Sequence, residues 1–335
     1  MWTPAASVLV NGERTADVRG PQVSAGGGTR AIIAALVANL GIALSKFVAF
    51  LITGSSSMLA ESVHSVADSG NQGLLLLGNR RANRAATPKH PFGYGTDRYF
   101  YAFVVALVIF SLGSLFALYE GVEKLRHRHE LERPIVAVAV LVIAIGLESY
   151  SFRTAIVESN LVRNGVSWVS FIRRSRAPEL PVVLLEDAGA LFGLVFALFG
   201  VGVAWVTGDS RWDGVGTLAI GVLLAIIAVI LIVETKSLLI GESAVPEAQL
   251  AIEQAVVGGR VDRLIHLRTM HLGPDELLVA AKISFSGSPS VEDVAAEIDA
   301  AERRIRDAEP TARVIYLEPD LYRAELAEQP QEAKP

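Results

Sequence analysis

The chain has no cysteine, and only 19% of its 335 residues are charged. The absence of cysteine excludes a disulfide-stabilised fold and a thiolate metal site, and it gives no information on the redox state of the protein's compartment. Hydrophobic residues make up 51% of the sequence, and the mean hydropathy is +0.42. A soluble domain of this length could bury a core with a smaller apolar share. The composition therefore indicates a membrane protein.

The two ends of the chain lack the patterns of folded or targeting segments. Residues 1–29 contain no basic start followed by an apolar core of about 7–15 residues, so a cleavable signal peptide is not expected. We interpret residues 1–29 as a flexible cytoplasmic leader and the polar residues 321–335 as a disordered tail. No nucleic-acid partner is expected.

Apolar runs of membrane-spanning length recur along the chain, at residues 31–53, 99–119, 134–152, 182–207 and 214–233. Each is close to the ~20 residues that a helix needs to cross ~30 Å of hydrocarbon. A sixth candidate, residues 57–79, is too polar for hydropathy alone to detect. Lys and Arg in the short connections favour six spans with both termini in the cytoplasm, although the basic third connection, residues 120–133, does not follow this pattern.

The sixth candidate contains the segment AESVHSVADSGNQ, whose polar side chains include Glu61, His64, Asp68 and Asn71. Steps of three, four and three residues keep these side chains on one face of a helix. A helix lying at the membrane interface is the alternative, but it predicts basic residues on the polar face. No Lys or Arg occurs between residues 46 and 80. The pattern therefore favours a site facing the interior of a helix bundle.

A second acidic pair, Glu186 and Asp187, lies in the apolar run from Pro181 to Val206. The alternative is a helix boundary with both charges among the lipid headgroups. Against that alternative, residues 182–185 are wholly apolar, and a helix boundary at the acidic pair would expose this hydrophobic turn to solvent.

Acidic side chains outnumber basic ones in the predicted spans, with Glu61, Asp68, Glu148, Glu186 and Asp187 against Lys46. Leaving that excess uncompensated would cost on the order of 10 kcal/mol, so protons or metal cations must occupy the interior. Imidazole with carboxylates is a ligand set for zinc, with manganese, iron(II) and cobalt(II) as alternatives. Lys46 and Glu148 could also simply neutralise each other between the first and fourth spans.

After about residue 241 the sequence takes on the pattern of a small α+β domain. The segments VDRLIHLRTMHL and DELLVAAKISF predict two strands joined at Gly273-Pro274. A helix over residues 246–257 precedes them. Ser290 and Asp293 resemble a capping box at the start of a second helix, whose predicted apolar stripe is Val291, Val294, Ile298, Ala301 and Ile305. A last strand, ARVIYLEP, ends at Pro319.

The segments SKFVAFLITGSSSMLAESVHSVADSGNQ, HPFGYGTDR and LLED, followed by the αββαβ tail, resemble the cation diffusion facilitators, the zinc-transporter family, over residues 31–320. The resemblance implies a six-helix transmembrane bundle (30–240) plus a small cytoplasmic ferredoxin-like α+β domain (241–320). It implies a homodimeric secondary transporter, not an enzyme, that exports divalent metal in exchange for protons and carries no resident cofactor. In the absence of targeting features, a bacterial inner membrane is the expected location.

The resemblance also assigns metal ligands. His64 and Asp68 match the two ligands of the second span, and Asp187 matches one ligand of the fifth. Val183 stands at the position of the other fifth-span ligand and cannot coordinate a metal. Glu186 could supply the fourth ligand, although it lies about 100° around the helix from Asp187. The oxygen-rich set makes manganese or iron(II) more plausible beside zinc.

Two further metal sites of the family are expected to be missing. His90 is retained in the HPFGYG loop, but Tyr94 and Thr87 stand at its partner positions, so a structural role is expected for His90. Ala281 and Leu317 fill sensor positions in the cytoplasmic domain, where we expect dimerisation without metal sensing.

Two rival functions remain open on the sequence. A monovalent-cation/proton exchanger could use the same acidic residues but would not need the imidazole of His64. A non-transporting membrane scaffold or receptor could use the polar stripe only to hold its helices together.

Overall fold

The computed structural model describes residues 25–53, 56–127, 134–163 and 165–323. The helices up to residue 240 are α1 (Ala25–Thr53), α2 (Ser56–Ala82), α3 (Asp97–Val104), α4 (Ser111–Arg126), α5 (Pro134–Val162), α6 (Trp168–Arg174), α7 (Glu179–Thr207) and α8 (Arg211–Ile240). A π-helical segment, Val105–Phe110, joins α3 to α4 without a break. Helix α1 begins inside the predicted leader, whose residues 1–24 lie outside the described part of the chain.

Five helical stretches in the described residues are long and apolar enough to cross a membrane: Thr29–Ile52, Asp97–Arg126, Ile135–Val162, Glu179–Thr207 and Arg211–Ile240. They overlap the five apolar runs predicted from the sequence. Each predicted run was shorter than its helix, because helices continue beyond the hydrocarbon into polar turns that hydropathy does not detect. The chain is therefore a multi-pass membrane protein.

Helix α2 lies against α1, and polar side chains pair along the interface of the two helices. Ser62 donates to the carbonyl of Ala43 at 2.9 Å, and the Lys46 amine donates to Ser65 at 3.0 Å. Farther along, the Asn79 amide donates to Thr29 at 3.2 Å. Pairing of this kind lowers the free-energy cost of burying polar groups between two helices, because both groups of a pair meet a partner.

Glycines allow α4 and α8 to approach closely. A Cβ atom at Gly121 would lie 2.8 Å from the backbone nitrogen of Leu218, and one at Gly221 would lie 2.9 Å from that of Leu118. Backbone atoms cannot move aside as a flexible side chain can. Both positions therefore require glycine, as expected for small residues between membrane helices.

The C-terminal part contains α9 (Pro246–Val256), β1 (Val261–Gly273), β2 (Glu276–Phe285), α10 (Val291–Ala308) and β3 (Ala312–Pro319). The sheet order is β1-β2-β3, with β1 and β2 antiparallel and β2 and β3 parallel. The parallel pair needs a crossover, which α10 supplies. The buried apolar core includes Ile252, Leu277, Val279, Ile283 and Ile305. These elements match the predicted order of helices and strands.

The predicted capping box at the start of α10 is present. The Ser290 hydroxyl accepts from the Asp293 backbone N–H at 3.2 Å, and the Asp293 carboxylate accepts from the Ser290 backbone N–H at 3.1 Å. Hydrogen bonds from the backbone N–H and the hydroxyl of Ser290 to the carboxylate lower the pKa of Asp293. The predicted apolar stripe is correct at Ala301 and Ile305, which are buried, but wrong at Val291, which is exposed because it begins the helix beyond the edge of the core.

We expect His271 on β1 to make the protein sensitive to acid. Burial, with the nearby positive charge of Arg176 as a smaller cause, lowers the pKa of His271 to about 4. The unfolded value is about 6.5, so the fold favours the neutral ring. The neutral His271 ring therefore contributes its full stabilisation of the fold above pH ~6.5, and this contribution is lost as the pH falls toward 4.

The test compares the wild type with His271→Gln by thermal unfolding in detergent at pH 7.5 and pH 4.5. The wild type should lose about 2 kcal/mol more than the variant on acidification. Other titrating groups are common to both proteins and cancel in the comparison. Equal losses in the two proteins would contradict this role for His271.

Candidate metal centre

Glu186 and Asp187 lie about 10 Å along α7 from its start at Glu179, well inside the helix. Their residues are only 8% and 1% exposed, and the preceding Val182 and Val183 are fully buried. Such burial argues against the alternative in which the two carboxylates sit at a helix boundary among headgroups. The pair lies inside the bundle.

Asp187 is oriented by helix α5. The hydroxyl of Ser151, which is fully buried, donates to Oδ2 of Asp187 at 2.7 Å. A hydrogen bond of this kind fixes the direction of a carboxylate and leaves its other oxygen for a second interaction. Ser151 was not identified from the sequence.

Glu186 is oriented by helix α2 instead. The amide nitrogens of Asn71 and Gln72 donate to the same oxygen, Oε1 of Glu186, at 3.0 and 2.7 Å. The carbonyl oxygen of Gln72 in turn accepts from Asn39 on α1 at 3.4 Å. A chain of amide groups thus connects α1 and α2 to α7.

The two adjacent carboxylates therefore contact different helices. Their separation of about 100° on α7 turns Glu186 toward α2 and Asp187 toward α5. The sequence contained a signal for Gln72 and Asn39, since both are amides inside predicted spans. It held no information on which carboxylate each amide would reach.

The helical backbone of α2 includes His64 and Asp68, but their side chains lie outside the described part of the structure. Asn71 follows His64 by seven positions and Asp68 by three, so all three residues share one face of the helix. Among the described side chains, no three His, Asp or Glu residues group as a metal site. That observation does not extend to His64 and Asp68, whose role stays a prediction.

The acid–base pair considered from the sequence, Lys46 and Glu148, also lies inside the bundle. Glu148 is buried, and the Lys46 amine donates to Ser65. Their mutual neutralisation stays a prediction.

The HPFGYG loop forms a compact turn. Thr87 and His90 exchange backbone hydrogen bonds of 3.1 and 2.9 Å. The rings of His90 and Tyr94 lie 4.7 Å apart, and the Tyr94 hydroxyl is 3.2 Å from that of Thr87. These contacts fit the structural role expected for His90.

A buried arginine connects the membrane helices to the C-terminal sheet. Arg98 of α3 pairs with both carboxylate oxygens of Glu179, the first residue of α7, one of them at 2.9 Å. It also donates to Asp275, in the β1–β2 turn, at 3.0 Å. Sequence reasoning did not identify this cluster, although Arg98 belongs to the quoted HPFGYGTDR segment.

Comparison with known proteins identifies the family of the chain. The model of the cation efflux transmembrane domain matches residues 32–240. The chain belongs to the cation diffusion facilitator family. Membership confirms the prediction of a membrane transporter rather than an enzyme.

The relatives of this cation diffusion facilitator differ in length. The human proton-coupled zinc antiporter SLC30A9, mitochondrial, is 31% identical over 245 residues, which are 72% of this chain and 43% of that protein. Metal tolerance protein C4 of Arabidopsis thaliana is 29% identical, over 79% of this chain and 58% of its own. The magnetosome protein MamB of Paramagnetospirillum magneticum is 26% identical, over 84% and 90%. The chain thus spans less than half of the human relative.

Proposed function

We propose that this protein is a divalent-metal efflux transporter that exchanges metal for protons. Zinc is the first candidate for the transported ion, with manganese, iron(II) and cobalt(II) as alternatives. The observation that carries the proposal is the buried pair Glu186 and Asp187 inside α7, of which Glu186 accepts hydrogen bonds from the polar helix α2 that also bears His64 and Asp68. Carboxylates so far from solvent require a cation or a proton.

The proposed ligands are His64, Asp68 and Asp187, with Glu186 as the fourth. An imidazole nitrogen with carboxylate oxygens suits borderline divalent ions. The Ser151 hydrogen bond supports Asp187 as a ligand, because metal-binding carboxylates are usually oriented by a second group. Glu186 has a comparable support in Asn71 and Gln72.

The proposed mechanism is alternating access. Metal arriving from the cytosol displaces protons from His64 and the carboxylates, since these groups coordinate only when deprotonated. Movement of the bundle exposes the loaded site to the other side. Protonation of the same groups then releases the ion, so one site serves both substrates. The name of the human relative, a proton-coupled zinc antiporter, favours this exchange.

The proposed architecture has α2 as a sixth span, both termini in the cytoplasm, a transmembrane domain over 30–240 and a ferredoxin-like domain over 241–320. The parallel β2–α10–β3 unit beside antiparallel β1 supports the ferredoxin-like fold. We further propose that the cytoplasmic domain forms a homodimer and that the protein resides in the cell membrane of a bacterium.

The experiment that tests the function measures metal movement into proteoliposomes with an imposed pH gradient. Purified full-length protein should move zinc or manganese, and metal flux should be accompanied by opposite proton flux. His64→Gln should abolish this flux. Potassium or sodium exchange that survives in His64→Gln would favour the monovalent-cation exchanger. No flux of any ion from folded protein would favour the scaffold.

We expect Glu186→Gln to weaken metal affinity, because an amide oxygen is a poorer donor than a carboxylate and the site loses one negative charge. The loss should be about 10-fold or more for zinc and manganese in detergent. Wild-type elution in size-exclusion chromatography serves as the folding control. Near-native affinity in this variant, beside a large loss in Asp187→Asn, would remove Glu186 from the ligand set.

A further inference from the structure

The carbonyl oxygen of Asn71 is buried without a partner. Asn71 is only 3% exposed, and its Oδ1 atom makes no hydrogen bond among the described residues. A buried polar atom of this kind costs roughly 1–3 kcal/mol unless something binds to it. A bound ion or water is the usual explanation.

The chemistry of Glu186 determines which end of the Asn71 amide faces it. A metal-binding Glu186 is ionised and only accepts hydrogen bonds, so in that state the amide nitrogen of Asn71 faces Glu186, as it does here, and the carbonyl oxygen points elsewhere. The orientation is therefore set by charge as well as by geometry. The hydrogen bond also polarises the amide, which makes its oxygen a better donor to a cation.

The position of Asn71 brings it close to the proposed ligands. On α2 it follows Asp68 by three residues, a rise of about 4.5 Å, on the same face. Across the interface its amide nitrogen contacts Glu186, the neighbour of Asp187. Asn71 thus lies between the α2 and α7 halves of the proposed site.

The neighbouring residue, Gln72, provides an internal control for Asn71. Gln72 donates to the same oxygen of Glu186, but its own carbonyl oxygen accepts from Asn39. Both amides therefore position Glu186, and of the two only Asn71 has a carbonyl oxygen left for another partner.

We propose that the carbonyl oxygen of Asn71 is an additional metal ligand that shifts the transporter's preference toward oxygen-loving ions such as manganese. This inference rests on the proposed function, because it assumes a metal held by His64, Asp68 and Asp187. A neutral oxygen in place of a second nitrogen favours the harder cation. Val183 cannot coordinate a metal, so the position that supplies a ligand in the resembled family supplies none here.

The test measures equilibrium binding of Mn²⁺ and of Zn²⁺ to the full-length protein in detergent. Asn71→Leu should weaken Mn²⁺ binding about tenfold or more and Zn²⁺ binding less, so the Mn²⁺/Zn²⁺ affinity ratio falls. Gln72→Met should weaken both ions by the same factor. Asn71→Ser, which keeps a polar group but cannot reach as far, should lower the ratio as Asn71→Leu does and covers the case in which the leucine variant fails to fold.

A double-mutant cycle separates ligation from positioning. In the Glu186→Ala background, the carboxylate that Asn71 positions is absent, whereas a ligand role persists. Adding Asn71→Leu to that background should therefore still weaken Mn²⁺ binding. Equal ratios in Asn71→Leu and Gln72→Met, or no added loss in the double variant, would overturn the inference. Metal binding that survives in Asp187→Asn would instead refute the proposed function.

Discussion

Replacing Asp187 by Asn is expected to abolish metal transport while leaving the protein folded. The asparagine has the same shape and can still accept the hydrogen bond from Ser151, so packing around the buried position is preserved. The site nevertheless loses a negative charge and a strong oxygen donor. Metal affinity in detergent should fall by more than the ~10–100-fold typical of altering a group that only orients a ligand.

Two further variants make the Asp187 prediction specific. Asp68→Ala should also abolish flux in proteoliposomes, with unchanged elution in size-exclusion chromatography, because it removes a predicted ligand on α2. Ser151→Ala should retain partial flux, with affinity lowered by about tenfold, since the hydroxyl only orients Asp187. Wild-type flux in Asp187→Asn or in Asp68→Ala would refute the ligand assignment.

Replacing Arg98 by Ala is expected to cause a large loss of stability. The arginine is buried and makes a two-pronged ion pair with Glu179, which is 3% exposed. Its removal leaves a buried carboxylate without compensation, which costs about 3–5 kcal/mol. The thermal unfolding temperature in detergent should fall by roughly 10 °C.

The second partner of Arg98 provides the matched control. The Asp275 side chain is 42% exposed, so Asp275→Ala should cost less than about 1 kcal/mol. The double variant Arg98→Met/Glu179→Leu removes both buried charges and should recover most of the lost stability. Similar losses in Arg98→Ala and Asp275→Ala would show that burial of the Glu179 pair is not the source of the effect.

The membrane helices were predictable because their signal is local. A helix that crosses hydrocarbon must satisfy its own backbone and show apolar side chains over about twenty consecutive residues, so each apolar span is encoded within a single stretch of sequence. The polar helix α2 was predicted by the spacing of Glu61, His64, Asp68 and Asn71, which is also local. The same holds for the capping box of Ser290 and Asp293.

The sequence by itself thus determined the multi-pass architecture, the order of helices and strands along the C-terminal part and the placement of Glu186 and Asp187 within an apolar helix. Only the tertiary structure decided which partner each carboxylate meets: Asn71 and Gln72 for Glu186, and Ser151 for Asp187. The reason is that a contact between two helices depends on the rotation and depth of both, and these follow from the packing of the whole bundle. The pairing of Arg98 with Asp275, 177 positions later, arises in the same way.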